Sequence, residues 1–375
     1  MMLELHRCFR CGWCKYPSGF EDYNCPSYAR FRFESYSPGG RLWLMRGWLN
    51  GELDWSDRLS QIIFSCVACK NCVENCRMDF REEILDWIIS ARSKAVERGL
   101  VPPKVRDFLE NLMKYGNPWG LPKSKQASWL GEMERFSGQD FLVYLGCECR
   151  YEERGTEMAW NVIEILKKAG ISFGVLDDES CDGNEVLMLG ERGLFEELAS
   201  KNLQKFRELG VKRIVTISPH AYNAMKKYAG IKFEIMHFTQ LLLDLIRKGK
   251  LSLSKLDSTV TYHDPCFLGR HNRIYEDPRK ILRAVPGLKL VEMRRNRENA
   301  FCCGGGSGNF VFDFLSGSDS PARLRIREAL DTNAEILAVA CPICKAMLED
   351  ATKTEGLEGK IEVRDIAEIV LSSAK

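Results

Sequence analysis

The stretch that decides the fold is YHDPCFLGRHN at 262–272, continued by FCCGGGSGN at 301–309 and ACPICKAMLED at 340–350. It places five cysteines in a fixed rhythm: Cys266, the adjacent pair Cys302 and Cys303, then Cys341 and Cys344. Thirty-five residues separate the first from the pair, thirty-seven separate the pair from the closing C-P-I-C, and Gly304, Gly305 and Gly306 follow the pair directly. Adjacent cysteines are poorly placed to ligate one mononuclear metal. They suit a multi-iron cluster, in which neighbouring sulfurs serve neighbouring metals.

Around these cysteines the chain alternates strand and helix. TVTYH reads as a strand, the segment around DPRKILRAV as a helix, LKLVEM as a strand, 321–331 as a helix and EILAVA as a strand running into the CPIC helix. Such alternation implies parallel strands with helical crossovers. Cys266 and Cys341 then fall just beyond strand carboxyl ends, where open parallel sheets bind ligands. Pro342 suits a first helical position, whose free amides and dipole favour the negative charge of a thiolate-ligated cluster. Glycines 304–306 let backbone amides approach sulfur closely.

The segment 139–255 has the same order of elements: FLVYLG, GTEMAWNVIEILKKAG, SFGVL, GLFEELASKNLQKFRELG, KRIVTI and a helix opening at Ser218, Pro219 and His220. Alignment sets Cys147 against Cys266, Cys181 against Cys302 and Ser218 against Cys341, at offsets of 119, 121 and 123 residues. This is an internal duplication. The first copy holds Asp182 where the second holds Cys303, and SerProHisAla at 218–221 where the second holds CysProIleCys. It lacks three of five candidate ligands and is expected to serve as scaffold, with His220 and His237 structural and Cys149 incidental. A different metal held by Cys147, Cys181, Asp182 and His220 is the alternative.

Ahead of the duplication lie two further groups: Cys8, Cys11, Cys14 and Cys25, and SCVACKNCVENCR with Cys66, Cys69, Cys72 and Cys76. The second has the ligand spacing of bacterial-type ferredoxins, in which three close cysteines hold one cubane cluster and the fourth reaches across to the other. By that crossover Cys8, Cys11, Cys14 and Cys76 would hold one [4Fe–4S] cluster, and Cys66, Cys69, Cys72 and Cys25 the other. Arg77 replaces the usual proline, and YPSGFEDYN lengthens the last gap of the first group. Four-thiolate zinc is the competing assignment; it explains pairs of C-x-x-C but not triplets. Helices are expected over about 41–49, 57–65 and 104–114 and through REEILDWIISARSKAVERG, with Trp43, Trp48 and Trp55 in the core. Residues 1–115 thus form one domain and 116–138, rich in Pro, Gly and Lys, a linker.

The formal net charge of +2 shows no bias toward nucleic acid, and no apolar run approaches the roughly 18 residues of a membrane span. MMLELHRCFR lacks a signal-like apolar segment, so a cytoplasmic setting is expected, where sixteen cysteines would stay reduced. Neither GCECRYEERG nor GGGSGNF fits a dinucleotide fingerprint, which assigns any flavin or NAD to a partner.

The CysCysGly pattern, with its flanking cysteine and closing C-x-x-C, resembles the CCG domain found in the B and D polypeptides of heterodisulfide reductase and in related iron–sulfur oxidoreductases. A tandem ferredoxin motif ahead of two such lobes resembles the arrangement of the D polypeptide, also found in glycolate and lactate oxidase iron–sulfur subunits. The resemblance implies an α+β multidomain fold: a helical two-cluster ferredoxin-like domain, then two tandem pseudo-symmetric α/β CCG lobes at 139–255 (degenerate) and 256–375 (complete). It implies two cubane [4Fe–4S] clusters and one noncubane [4Fe–4S] cluster on Cys266, Cys302, Cys303, Cys341 and Cys344, with Gly304 beside them. It implies an oxidoreductase subunit of anaerobic metabolism that relays electrons to or from thiol/disulfide chemistry at Cys302 and Cys303. His263, Arg270 and His271 are the candidates to move protons or hold an anionic thiol. Expected partners are a flavoprotein, hydrogenase or membrane cytochrome subunit, the last recruiting the chain to a membrane periphery, and a small thiol or disulfide. The alternatives are a pure electron conduit for a flavin-dependent lactate, glycolate or acyl-CoA dehydrogenase, and a zinc-stabilised assembly protein.

Overall fold

Two four-stranded sheets, alike in order and direction, organise the C-terminal two thirds of the chain. The computed structural model describes residues 4–16 and 22–374. The first sheet holds β1 (Phe141–Tyr144), β2 (Phe173–Gly174), β3 (Arg213–Thr216) and β4 (Glu234–His237), ordered β2-β1-β3-β4. The second holds β5 (Ser258–Tyr262), β6 (Leu288–Leu290), β7 (Ile336–Val339) and β8 (Glu362–Asp365), ordered β6-β5-β7-β8. Every pairing is parallel. FLVY of β1 and ILAV of β7 are buried throughout, as befits central strands of a parallel sheet covered on both faces. The edge strands β4 and β8 are missing from the reading of the sequence: EIMH and EVRD are short and partly exposed, and carry too little apolar signal.

The lobes exchange contacts reciprocally. The long helix between β1 and β2 (Glu153–Lys168) packs on the last helix of the second lobe (Ile366–Ser373), and the helix between β5 and β6 (Glu276–Ala284) packs on the last helix of the first (Phe238–Arg247). Val162, Ile369 and Val370 on one side and Leu242, Ile281 and Leu282 on the other join a single buried core. Each such side chain contributes roughly 1.5–3 kcal/mol on burial, so the two lobes hold together hydrophobically.

The N-terminal domain is helical, with Pro38–Leu49, Asp57–Phe64, Ile84–Glu97 and Pro103–Tyr115 as its longest elements. The loop between Cys14 and Cys25 falls largely outside the described residues. Trp48 is buried against Trp55, whereas Trp43 is half-buried and donates its indole N–H to the Cys8 carbonyl at 2.6 Å. Arg92, fully buried on the Ile84–Glu97 helix, fastens three regions together. Its guanidinium donates to the carbonyls of Ile63 (2.8 Å) and Cys66 (2.6 Å) in its own domain, to the carbonyl of Met188 (2.7 Å) in the first lobe, and to the Ser307 hydroxyl (3.1 Å) in the second.

Candidate metal centre

Hydrogen-bonded pairing of β5 with β7 brings the carboxyl ends of two central strands side by side. Cys266 follows the first and Cys341 the second, capping the Pro342–Thr354 helix with Pro342 in its first turn. The loop after β6 carries Cys302 and Cys303 to the same edge. There Cys302 Sγ lies 3.9 Å from Cys266 Sγ, Cys303 Sγ lies 3.4 Å from Cys344 Sγ, and Cys341 neighbours Cys344. All five thiols are buried, none more than 5% exposed. Gly304, at φ +90°, donates its amide to Cys302 Sγ at 3.4 Å, and Asn309 Nδ2 pins the Gly304 carbonyl at 2.8 Å.

Protons are shared unevenly among these sulfurs. Sharing with Cys302 and Cys344, and against its burial the neighbouring His263 ring, push the Cys303 thiol well down, while Cys302 is pushed up first by Cys266 and then by Cys303, and Cys344 by Cys303. His263 is fully buried, and its Nδ1 accepts from Arg325 Nε at 3.1 Å. Because guanidinium can only donate, the ring proton sits on Nε2, which has no hydrogen-bond partner among the described residues and lies near the Cys303 sulfur. His263, Cys303 and Cys344 offer ligand atoms mutually within 4.8 Å.

Arg270 and His271 face the N-terminal domain. Arg270 Nε donates to the Cys69 carbonyl at 2.6 Å and His271 Nε2 to the Ala68 carbonyl at 2.8 Å, its ring stacked on Phe267. Gly306 allows this approach, since a Cβ there would stand 2.4 Å from the Val67 carbonyl oxygen. The Cys69 thiol in consequence reaches the Cys302 thiol. The remaining cysteines of that domain form two sets. Cys8, Cys11, Cys14 and Cys76 surround one small cavity, and Cys25, Cys66, Cys69 and Cys72 surround another. Cys11 is the exposed member of the first; Cys25, Cys69 and Cys72 are buried in the second.

The first lobe preserves the frame of the centre. Cys147 neighbours Cys181, and Gly183, at φ +81°, donates its amide to Cys181 Sγ at 3.4 Å, as Gly304 does to Cys302. Asp182 stands where Cys303 stands in the second lobe; burial raises its carboxyl to about 6 and that of the adjacent Glu148 to about 8. Ser218 instead caps its helix, its hydroxyl accepting the His220 amide. His220 does not join Cys147 and Cys181. Its Nδ1 donates to Glu185 Oε1 at 2.6 Å, and the ring lies beside the Cys341 thiol of the other lobe. His237 lies apart from every cysteine site, donating Nε2 to the Ile217 carbonyl. The His220–Cys341 and Cys69–Cys302 contacts escape a sequence reading because their partners come from separate domains and share no spacing. Only the offset of the duplication, which sets His220 opposite Ile343, could have signalled that His220 sits at this edge.

Residues 141–226 and 260–349 each match the family described as the cysteine-rich CCG domain, and residues 4–80 match the 4Fe-4S dicluster domain. The chain is 31% identical over 398 residues to the D polypeptide of the dihydromethanophenazine:CoB–CoM heterodisulfide reductase of Methanosarcina acetivorans, covering 98% of this chain and 94% of that one. It is 35% identical over 330 residues to the probable iron-sulfur-binding oxidoreductase FadF of Bacillus subtilis, and 34% over 332 residues to the EtfAB:quinone oxidoreductase of Syntrophomonas wolfei. Each of the latter two matches covers 83% of this chain and 46% of the relative, so the chain spans about half the length of those proteins. Among the described residues no helix is long and apolar enough to cross a membrane. The chain belongs to the family of CCG-domain iron–sulfur oxidoreductases that resemble the heterodisulfide reductase D polypeptide.

Proposed function

We propose that the chain is the electron-transfer subunit of a heterodisulfide-reductase-like complex, and that it carries two cubane [4Fe–4S] clusters and one noncubane [4Fe–4S] cluster. The observation that carries this is the approach of Cys69 to Cys302 and Cys266, which sets a four-cysteine set against the five-cysteine set. The donor chemistry fits. Each small cavity is ringed by four thiols, and the third centre has five buried thiols with an amide N–H aimed at one of them. Bound there, the clusters would supply one-electron carriers and, at the five-cysteine site, a metal-bound sulfur able to make or break a bond to substrate sulfur.

The residues of the chain have separable tasks in this scheme. Cys8, Cys11, Cys14 and Cys76 hold the outer cluster, which the exposed Cys11 places nearest a partner. Cys25, Cys66, Cys69 and Cys72 hold the inner one, and Cys266, Cys302, Cys303, Cys341 and Cys344 the third. His263 keeps a neutral N–H beside the Cys303 sulfur, with Arg325 fixing the tautomer. Arg270 and His271 lock the distance between the inner and third sites through the Cys69 and Ala68 carbonyls.

The degenerate first lobe favours a second scheme, in which electrons only pass through and the substrate is oxidised on a flavoprotein partner. Asp182, Ser218 and Ala221 replace three ligands, which leaves a single complete site. Anaerobic titration of the purified chain with a small thiol under oxidising conditions separates the two. A new paramagnetic signal that requires the thiol supports substrate chemistry at the third site. A signal indifferent to thiol, with electrons still accepted from a reduced flavoprotein, supports the conduit.

A further inference from the structure

The first lobe has lost its own ligands, yet it places an imidazole against the second lobe's sulfur. We infer that Glu185 and His220 of the degenerate lobe form a hydrogen-bond donor to Cys341 that sets the reduction potential of the five-cysteine cluster from across the lobe interface. This rests on the reading that those cysteines hold a cluster.

The construction is specific. His220 is 3% exposed, on the helix Pro219–Met225 that replaces the CPIC helix, in the position aligned with Ile343. Glu185 Oε1 accepts from His220 Nδ1 at 2.6 Å and from Asn184 Nδ2 at 2.7 Å, and Glu185 Oε2 accepts the Gly308 amide of the second lobe at 2.6 Å. Asn223 Nδ2 braces Asn184 Oδ1 at 2.8 Å, and the His220 ring packs on Phe267, 4.2 Å between centroids. With Nδ1 committed to a carboxylate, the ring's remaining capacity is directed to Cys341. Hydrogen bonds to cluster sulfurs favour the reduced, more negative state and so raise the potential. A scaffold needs neither a buried carboxylate nor an imidazole here; the aligned Ile343 fills the same position with hydrocarbon. The loss of ligands in one lobe has left a tuning group for the other.

The full-length chain, purified and reconstituted anaerobically, provides the test. Iron per chain and the midpoint potential of the five-cysteine cluster are measured for wild type, His220→Leu, His220→Gln and Glu185→Gln. Expected are unchanged iron content and, for His220→Leu, a downward shift equivalent to about a tenfold smaller reduced-to-oxidised ratio at fixed ambient potential, about 59 mV for one electron. His220→Gln, which keeps an N–H donor, recovers most of the loss, and Glu185→Gln shows a smaller fall in the same direction. A His220→Leu potential equal to wild type overturns the inference. Should His220→Leu lose the cluster, Glu185→Gln decides: a lowered potential supports a donor role and an unchanged one refutes it. Wild-type protein with only about eight irons, the cubane signals intact, overturns the inference together with its premise.

Discussion

The thiols of Cys69 and Cys302 lie beside each other, although 232 residues separate them in the chain. No common element carries the two. Arg270 and His271 hold the loop of one, Gly304 and Asn309 shape the loop of the other, and Gly306 removes the side chain that would keep them apart.

Gly306→Ala tests that closeness directly. The new Cβ would meet the Val67 carbonyl oxygen at 2.4 Å, a backbone atom that cannot swing aside. The expected result is a lower melting temperature and a weakened magnetic interaction between the inner and third clusters. Gly356→Ala, at φ +64° in open space, is the control, costing about 1 kcal/mol and leaving the spectra alone. Equal behaviour of the two variants would refute the steric account.

Arg92→Met removes the side chain that ties all three regions. It leaves the Met188 and Cys66 carbonyls and the Ser307 hydroxyl without that donor in a buried setting. Destabilisation of about 3 kcal/mol is expected, read as a fall of several degrees in melting temperature and faster proteolysis between the domains. Arg92→Lys, which can satisfy only part of the set, should fall between. A melting curve that does not move would show the contacts to be dispensable.

Iron analysis separates the two lobes. Cys302→Ser should lose about four irons per chain and Cys181→Ser none, because the first site has Asp182 and Ser218 in ligand positions. Loss of iron from the Cys181→Ser protein would mean that the degenerate lobe binds metal after all.

His237 gives a pH dependence with a definite sign. Burial drives its pKa down to about 3, and the neutral ring bridges the Ile217 carbonyl and the Thr239 hydroxyl. The unfolded chain takes up a proton near pH 6.5 and the folded chain does not, so the contribution is complete above pH 6.5 and is lost as pH falls toward 3. Each unit in that window costs about 1.4 kcal/mol from this group alone. Denaturant midpoints at pH 7.5 and 5.5 should converge in His237→Gln relative to wild type; parallel behaviour would exclude His237 as a source of the acid sensitivity.

Much of the architecture was legible from a few residue types. Cysteine spacing foretold which thiols gather, and β1 and β7 were readable as unbroken apolar runs. The edge strands β4 and β8 were not, since EIMH and EVRD look like loop. His271 reads as a group of the site but commits its Nε2 to Ala68, while His220 reads as scaffold and meets Cys341. Position along the chain says which residues are near a ligand. It does not say which way a ring turns when a second domain offers it a carbonyl or a sulfur.

The reciprocal packing of the lobes' helices bears on how such a protein diverges after duplication. Side chains at the cysteine-bearing edge of either half can drift, as Asp182 and Ser218 did, without touching the core between the lobes. The halves themselves cannot be shed: deleting 139–255 would strip Ile281, Leu282, Ile369 and Val370 of their cover. A copy whose edge residues diverge is therefore kept for its shape, and what it keeps is free to be put to another use.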